Sequence, residues 1–470
     1  MRKPIQYPVS PPRGDYPGIM PPQSVRIFKG LNTFDPLSID DSFFTDMSNM
    51  TLDEYPTLTA GPGYSVLGTP VAKVLGLGTW KDAELHAVFA DGTWRKWNGS
   101  AWTTLASGLN TTAEWTFTNF EGNLNAINLI GSNGVDPIKR YDGSTVQNLS
   151  GAPTGGNYIT TYQNRLWCAV GKEVHACALD RPTEWTTFGG TDEDSYVKDI
   201  ETSRGENVSF LSGSLSKLTI GTPNSLQELY GGIPKDFNVQ IVSESEGFPS
   251  NKSAVTADGV MRFINRSGIY SYGGASLPDS DFSDVIKKFI TGVDASCVAG
   301  SDGTRLYFRI GSRVLIYDTR SEVRSWVAWT GVNVTRFTIF QGELYAGDEA
   351  GRVIKLGGTT AGGAPISWRA VTKPFTNNTI AQKQRWLKLW TYWEFAAGST
   401  LNVYLSKSIS GDADWELVQT ITGTGEPTMQ RIIVPVNKYT LEHHIRIKFE
   451  GTGWARMHEY MRQIRQLSIH

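Results

Sequence analysis

The chain has 470 residues, and its 44 Lys and Arg nearly balance its 46 Asp and Glu, so the net charge of −2 creates no overall field that would attract a polyanion. Three cysteines are too few for a disulfide framework, and no apolar run approaches the ~20 residues of a membrane-spanning helix. The 49 glycines, 15 Trp, 18 Tyr and 20 Phe, set among short alternating runs, instead predict an all-β protein with many tight turns.

Residues 1–62 are predicted to form an extended, Pro-rich arm and a lead-in to the next domain. Seven prolines precede position 23 and no apolar periodicity is present, so residues 1–30 cannot form a core. Their charge is opposite to that of the acidic middle of the chain, which favours docking on a neighbouring subunit. The basic residues expected to contact that partner are Arg2, Lys3, Arg13, Arg26 and Lys29. The alternative is a disordered tail. The N-terminus lacks the apolar stretch of a secretory signal, so we expect synthesis in a cytoplasm.

Residues 63–358 contain a repeat that predicts a β-propeller of about seven blades. Each copy has a strand with an apolar anchor, a polar turn and a second strand that ends in an aromatic or apolar residue near Gly or Asp, as in WRKWNG and IKRYDG. The anchors recur every 38 to 52 residues, close to the roughly 40–45 residues of a four-stranded blade. They are Leu85, Leu124, Leu166, Leu218, Met261, Leu306 and Leu344. A plain series of sandwich hairpins is the alternative, but it does not explain this spacing.

The fourth strands and the closure of the ring are also predicted from the repeat. Trp102, Trp185 and Trp326 follow the repeated hairpin, so we expect them on short fourth strands, wedged between neighbouring blades. The last repeat has only three strands. Because a ring of sheets must be closed, residues 63–68 are predicted to pair beside 352–356 as its missing strand.

Residues 365–470 are predicted to form a separate antiparallel β-sandwich of six to eight strands, after a flexible segment at 357–364. The alternation there has period two but lacks the propeller spacing. Its last part, residues 431–470, is basic, with seven Lys and Arg against three acidic residues, and we expect some of these cations to contact phosphates or another subunit, with a plain solvated strand as the alternative. These residues are Arg446, Lys448, Arg456, Arg462 and Arg465.

No set of residues in the sequence predicts catalysis, a metal site or a cofactor. Asp192, Glu193 and Asp194 are adjacent in one segment, which fits a solvated turn better than the separated carboxylates of a glycosidase. The predicted register puts Cys168 opposite His175 rather than Cys177, so no disulfide is expected between the two cysteines. The histidines lack metal-ligand spacing, and no P-loop or nucleophile elbow is present. We therefore expect a protein that is not an enzyme.

Several soft motifs resemble one family, the tail-hub propellers of short-tailed bacteriophages, also described as packaged-DNA-stabilisation or tail-nozzle proteins. They are DMSNMTLDEYPTLTAGPGY (46–64), NGVDPIKRYDGST (133–145), YQNRLWCAV (162–170), SGSLSKLTIGTPNSLQELYG (212–231) and VLIYD (314–318). The similarity covers residues 40–470 in order and layout.

The resemblance implies a structural protein of the virion tail. It implies six copies in a ring below the portal and adaptor proteins. The ring would bound the DNA channel, contact the packaged DNA non-specifically and help to retain and release the genome. A carbohydrate-binding or receptor-binding propeller at the tail tip is the alternative, followed by a lytic enzyme.

Overall fold

The computed structural model describes residues 18–274, 276–376, 379–412, 414–425 and 428–467. The chain divides into two compact units, Pro62–Ala364 and a second unit that combines Met1–Gly61 with Pro365–His470. Within the described residues, no helix is long and apolar enough to cross a membrane.

The unit Pro62–Ala364 is a seven-bladed propeller whose blades are small antiparallel sheets. Blade 1 contains Val74–Trp80, Glu84–Phe89, Thr93–Trp97 and Trp102–Ala106; blade 2 contains Thr116–Phe120, Asn128–Ser132, Lys139–Tyr141 and Val146–Asn148. Blade 3 contains Asn157–Tyr162, Arg165–Val170, Glu173–Ala176 and Tyr196–Asp199; blade 4 contains Phe210–Ser212, Leu218–Thr222, Ser225–Tyr230 and Asn238–Ser243, with a 3₁₀ turn at Pro234–Asp236. Blade 5 contains Ala254–Ala257, Val260–Asn265 and Gly268–Tyr272, followed by the 3₁₀ helix Asp281–Phe289. Blade 6 contains Val298–Ser301, Arg305–Ile310, Arg313–Asp318 and Ser325–Thr330; blade 7 contains Val334–Phe340, Glu343–Asp348, Val353–Leu356 and Tyr64–Val66. Two short strands, Thr360–Ala361 and Ala364–Pro365, follow.

The ring is closed as predicted, by a strand from the N-terminal side of the propeller. Val66 pairs with Ile354 and Tyr64 with Leu356 in an antiparallel ladder, so residues 64–66 are the fourth strand of blade 7. On the inner side, the Thr335 hydroxyl of blade 7 donates a hydrogen bond of 2.7 Å to the Val74 carbonyl of blade 1. Closure therefore joins the first and last blades and leaves no exposed edge there.

Glycines on the inner strands allow aromatic side chains of the next blade to pack directly on the backbone. A Cβ atom at Gly300 of blade 6 would lie 2.5 Å from the Phe337 Cβ of blade 7, and one at Gly78 of blade 1 would lie 2.8 Å from the Phe117 ring of blade 2. Both contacts are closer than any real Cβ contact, so the interdigitation of the blades requires glycine at these positions.

Three details of the predicted propeller are wrong. Leu124 lies in a turn, and the second strand of blade 2 is Asn128–Ser132. Trp185 is not on a strand, because the fourth strand of blade 3 comes later, at Tyr196–Asp199. Trp185 nevertheless packs between blades 2 and 3, in a cluster with residues of both.

Blade 5 lacks the fourth strand expected of each blade. It has three strands and a 3₁₀ helix beside them. The Ser283 hydroxyl accepts a 2.8 Å hydrogen bond from the Ile269 amide, which satisfies a donor that a fourth strand would otherwise pair. Phe282 of the same helix packs edge-on against Trp326 of blade 6 at 5.1 Å. The helix therefore fills the position of the missing strand.

The second unit is a sandwich of two antiparallel sheets. One sheet has the order Met50–Thr51, Leu58–Ala60, Ala455–Gln466, Gln384–Phe395 and Gln430–Val434, and Gln23–Val25 also pairs with Ala455–Gln466. The other has the order Phe44–Ser48, Ser367–Thr372, Arg446–Thr452, Thr400–Ser406 and Glu416–Thr422. Between the sheets, Trp393 stacks on Trp368 at 5.4 Å and meets Phe449 edge-on at 5.6 Å.

The predicted separation of an N-terminal arm from the C-terminal sandwich is wrong for residues 23–60. These residues supply four strands to the sandwich, and Phe44, Met47 and Met50 are buried in its core. A β-bulge between Phe44 and Asp46 shifts the register by one residue, so side chains three positions apart both point inward. The bulge breaks the period-two alternation, which is why the sequence pattern concealed the strand.

Candidate functional site

The inner strands of the propeller surround a cavity of about 420 Å³. Its lining comes from the first strands of blades 1, 2, 3, 4, 5 and 7 and the residues next to them. Small polar side chains form much of this lining, and they are Thr116, Thr160, Ser212, Ser214, Asn251 and Thr256. One charged side chain, Arg336, also lines the cavity. The cavity is thus a polar central channel.

A charged cluster lies at the end of this channel where the first strands begin. Lys252 precedes the first strand of blade 5, Glu114 precedes that of blade 2, and Arg336 is near the start of that of blade 7. The Lys252 amino group donates a hydrogen bond to Oε1 of Glu114, and Arg336 Nη2 lies 3.5 Å from Oε2 of the same carboxylate. The Lys252 and Arg336 side chains are only 4% and 11% exposed, whereas that of Glu114 is 33% exposed.

Burial and like charge both act on the two cations of the cluster. Burial, and then the neighbouring Arg336 guanidinium, lower the pKa of Lys252 to about 8, although Glu114 opposes the shift. Burial also lowers the pKa of Arg336 and raises that of the nearby Tyr158 hydroxyl. The Nε atom of Arg336 is buried and has no hydrogen-bond partner among the described residues. The three ionised side chains carry two positive charges and one negative charge.

A second cavity, of about 840 Å³, lies at the turns between the first and second strands of blades 2, 3 and 4. Two aromatic residues line it, Phe120 and Tyr162, and both rings are buried. Stacking against a sugar requires an exposed ring face. The described lining of this cavity therefore does not fit the aromatic carbohydrate site that was the alternative reading of the sequence.

The acidic segment 192–194 is a braced loop. Asp192 pairs with Lys235 at 2.9 Å, and Glu193 pairs with Arg181 at 2.5 Å. Asp194 accepts hydrogen bonds from the Thr191 hydroxyl and from backbone amides, which lower its pKa. The loop is also held from inside by the buried guanidinium of Arg165, which donates to the carbonyl oxygens of residues 177, 192 and 194. The three carboxylates thus have structural partners.

The cysteines and the buried histidine are structural as well. Cys168 lies opposite His175, as predicted, and Cys168 and Cys177 are free thiols. Burial raises the pKa of both thiols, that of Cys177 to about 12, so neither is a thiolate at neutral pH. Burial lowers the pKa of His86 to about 4, so its 3.3 Å contact with Glu84 involves a neutral imidazole. Among the described residues, no group of three or more His, Cys, Asp or Glu is arranged to hold a metal ion.

The basic residues of the predicted arm fall into two groups. Arg2, Lys3 and Arg13 lie outside the described residues. Arg26 pairs with Glu459 of its own chain at 3.1 Å, and the Lys29 amino group lies 5.6 Å from the centre of the Phe43 ring. The contact of these residues with a partner stays a prediction.

Arg446 and Lys448, two of the predicted C-terminal cations, point into contacts within the sandwich. The Arg446 guanidinium is buried, donates to the Gly411 carbonyl at 2.7 Å and lies over the Trp415 ring at 4.9 Å. The Lys448 amino group lies 4.1 Å from the centre of the Tyr404 ring. Neither side chain presents a free charge to a phosphate.

The other three C-terminal cations differ in exposure. Arg456 pairs with Glu394 at 3.3 Å, and the buried Arg462 pairs with Asp41 at 2.6 Å. Arg465 is exposed. Because internal partners hold Arg446, Lys448, Arg456 and Arg462, the structure does not bring the five cations together as one exposed basic surface.

The channel cluster is not evident in the sequence, because its three residues are far apart along the chain. Lys252 is 138 positions from Glu114, and Arg336 is 222 positions from it. The available signal was positional, since each residue lies near the start of the first strand of its blade. An alignment of the blade sequences places Lys252, Glu114 and Arg336 at nearly the same position, and their charges could have been compared there.

No protein-family model and no curated protein sequence matches the chain. Among solved structures, virginiamycin B lyase from Staphylococcus aureus is 9% identical over 61% of this chain and 95% of its own, with a TM-score of 0.44. The WD40 β-propeller domain of Doa1 is 13% identical over 63% of this chain and 97% of its own, with a TM-score of 0.42. The computationally designed Ika8 protein is 10% identical over 63% and 99%, also with a TM-score of 0.42. Such distant similarities say nothing about function, and the propeller assignment follows from the strand pairing itself.

Proposed function

We propose that this chain is a structural subunit of a bacteriophage tail, of the hub or nozzle class, that bounds the DNA channel and helps to retain and release the packaged genome. The observation that carries the proposal is the structural use of residues 46–64, the first motif of the resemblance. This segment completes both sheets of the sandwich and leads directly into the strand that closes the propeller. The residues of this motif therefore form strands that belong to the sandwich and begin the strand that closes the propeller.

The chemistry of the described residues also favours a structural role. The carboxylates of residues 192–194 have structural partners, the buried thiols are protonated, and the Lys252 amino group of the channel cluster is held in an ion pair with Glu114. We propose that the protein has no enzymatic turnover. Incubation with bacterial surface glycans and with peptidoglycan is expected to release no product. Product release that is lost on substitution of a channel residue would contradict the proposal.

The proposed assembly is a homo-hexameric ring in the virion tail, in contact with portal-adaptor and other tail proteins. Electron microscopy of the native assembly is expected to show a six-fold ring at the base of the tail. A protein that is monomeric and absent from virions, and that binds host glycans, would instead favour a carbohydrate-binding or receptor-binding propeller.

The role of the N-terminal arm in assembly requires a deletion that leaves the sandwich intact. Removal of residues 1–30 would also remove the strand Gln23–Val25 and the buried Phe28. Deletion of residues 1–17 spares both. If the arm joins subunits, this shorter deletion is expected to retain the melting temperature of the monomer and to abolish entry into the tail. Assembly at the wild-type yield would contradict the role of the arm.

A further inference from the structure

The charge of the channel cluster is unbalanced inside the propeller. Lys252 and Arg336 both pair with the carboxylate of Glu114, and the more distant charges of Lys73 and Asp294, which are opposite in sign, also act on Lys252. A buried cation without a full counter-charge is costly, and protein interiors normally supply an anion or neutralise the group. The contrast with Lys217, which faces the fully buried carboxylate of Glu228 in a one-to-one pair, shows that this chain can balance such charges where no ligand is needed.

The geometry directs the excess charge toward the cavity. Arg336 lines the channel with a side chain that is 11% exposed, and its Nη2 lies 3.5 Å from Glu114 while its Nε is enclosed by protein. A guanidinium presents its donors in one plane, which suits an oxyanion with two adjacent oxygens. The cavity of about 420 Å³ has room for a small anion beside this donor.

The rest of the channel supplies neutral polar groups. The hydroxyls of Ser212 and Ser214 are 2.9 Å apart, and those of Ser214 and Thr256 are 2.7 Å apart. All three residues line the same cavity, near the end where the first strands finish. These hydroxyls can hydrogen-bond the waters that fill the channel between them and the cationic end. The channel is thus cationic at one end and hydroxyl-rich at the other.

We propose that the central channel binds an oxyanion of the phosphate class at the end formed by Lys252 and Arg336. The anion completes the charge balance of the cluster and accepts hydrogen bonds from the part of the Arg336 guanidinium that lines the cavity. Glu114 holds the two cations in place and, by its negative charge, limits the affinity. The site does not depend on the proposed role in a phage tail.

The test is titration of the full-length chain with inorganic phosphate, sulfate and chloride at constant ionic strength, followed by calorimetry and by the thermal midpoint. Phosphate and sulfate are expected to raise the midpoint in a saturable way, and chloride is not. A parallel titration with a 5′-mononucleotide distinguishes free phosphate from a phosphate attached to a larger molecule. If the channel entrance excludes the nucleoside, free phosphate raises the thermal midpoint and the mononucleotide does not. Equal effects of the three ions on the wild type would overturn the proposal.

Variants place the binding in the channel. Arg336→Met leaves the balanced Lys252–Glu114 pair, so it is expected to fold without added anion and to lose at least tenfold in phosphate affinity. Glu114→Gln removes the competing carboxylate and is expected to gain roughly tenfold. Arg204→Met removes an exposed arginine outside the channel and is expected to bind as the wild type does.

Two outcomes would overturn the site. One is wild-type affinity in Arg336→Met. If that variant fails to fold, Arg336→Lys, which keeps the positive charge but not the planar set of donors, decides instead, and wild-type phosphate affinity in Arg336→Lys would also overturn the site.

Discussion

Glu84 of blade 1 and Lys217 of blade 4 occupy equivalent positions at the start of the second strand, yet they carry opposite charges. Glu84 accepts a 2.8 Å hydrogen bond from Lys96 on the third strand, whereas Lys217 donates one of 2.9 Å to Glu228 on the third strand. The register is the same in both blades. Glu84 lies two positions before His86, which is opposite Lys96. Lys217 likewise lies two positions before Thr219, which is opposite Glu228. The two blades thus use one cross-strand ion pair with its polarity reversed.

A group from the following blade contacts each pair. The Tyr141 hydroxyl of blade 2 donates to Glu84 at 2.8 Å, and Lys217 donates at 2.5 Å to the carbonyl of Gly274, which follows the third strand of blade 5. The ion pairs therefore join neighbouring blades in addition to neighbouring strands.

Loss of Lys217 is expected to destabilise the propeller strongly. The Glu228 side chain is 0% exposed, so Lys217→Met leaves a buried carboxylate without its cation and should cost about 3–5 kcal/mol in the free energy of unfolding. Lys96→Met is the matched variant, and it should cost less because the Glu84 side chain is 24% exposed and remains partly hydrated. Urea denaturation measures both.

The reversed polarity of blade 1 gives a further check on the same pair. Lys217→Glu combined with Glu228→Lys recreates the blade 1 arrangement and should recover much of the loss. A double variant no more stable than Lys217→Met would show that the surroundings of blade 4 accept only one polarity.

His86 is expected to make stability fall as the pH falls from about 6.5 to about 4. Trp94 Nε1 donates to His86 Nδ1 at 3.0 Å, so protonation of this nitrogen breaks the bond, and burial lowers the pKa of His86 to about 4. The unfolded chain, with a pKa near 6.5, binds the proton first, and the loss approaches about 3 kcal/mol below pH 4. Glu84, whose pKa is also lowered, adds to the loss at the acidic end.

Urea denaturation between pH 4 and pH 8 measures this dependence. His86→Asn retains an acceptor for Trp94 but cannot be protonated in this range, so its stability should vary less with pH than that of the wild type. An identical pH dependence in the variant and the wild type would assign the acid sensitivity to other groups.

Closure of the propeller is expected to depend on Gly63. A Cβ atom at this position would lie 2.2 Å from the Gly358 carbonyl oxygen, and a backbone oxygen cannot move aside as a side chain can. Gly63→Ala should therefore lower the free energy of unfolding by about 1–3 kcal/mol and make blade 7 more sensitive to proteolysis. Gly232→Ala is the control, since no atom lies within 4 Å of its added Cβ. Equal stability of the two variants would mean that the closing strand shifts freely.

The sandwich is expected to need its N-terminal strands to fold. A fragment of residues 365–470 lacks Phe44, Met47 and Met50, which are buried in its core, so it should show no cooperative thermal transition. Fusion of residues 18–61 to that fragment through a flexible linker should restore the transition, and a fusion with Met47→Asp and Met50→Asp should not. A sharp transition of residues 365–470 alone would show that the seven C-terminal strands suffice.

Prediction from sequence succeeded where the signal was local or periodic. The spacing of anchors such as Leu85 and Leu344 and the turn chemistry between strands gave the propeller, because each blade is a series of hairpins whose strands are adjacent in the chain. The closing strand at 64–66 was predictable because a three-stranded last repeat left a defined position to fill.

Prediction failed where distant segments meet or where the period is interrupted. The strand at 44–48 was missed because its bulge puts Phe44 and Met47 on one face, and the 3₁₀ helix of blade 5 was missed because Phe282 is positioned by the aromatic residues of blade 6.

Local features of the chain are enough to set the number of blades, the place of their turns and the strand that closes the ring. These follow from backbone preferences and from hydrophobic alternation over a few residues. By contrast, long-range packing sets which N-terminal strands complete the sandwich and which charges meet in the channel. Lys252, Glu114 and Arg336 become neighbours because the first strands of blades 5, 2 and 7 begin at the same end of one channel. No short stretch of sequence encodes that proximity, since it arises from closing the ring.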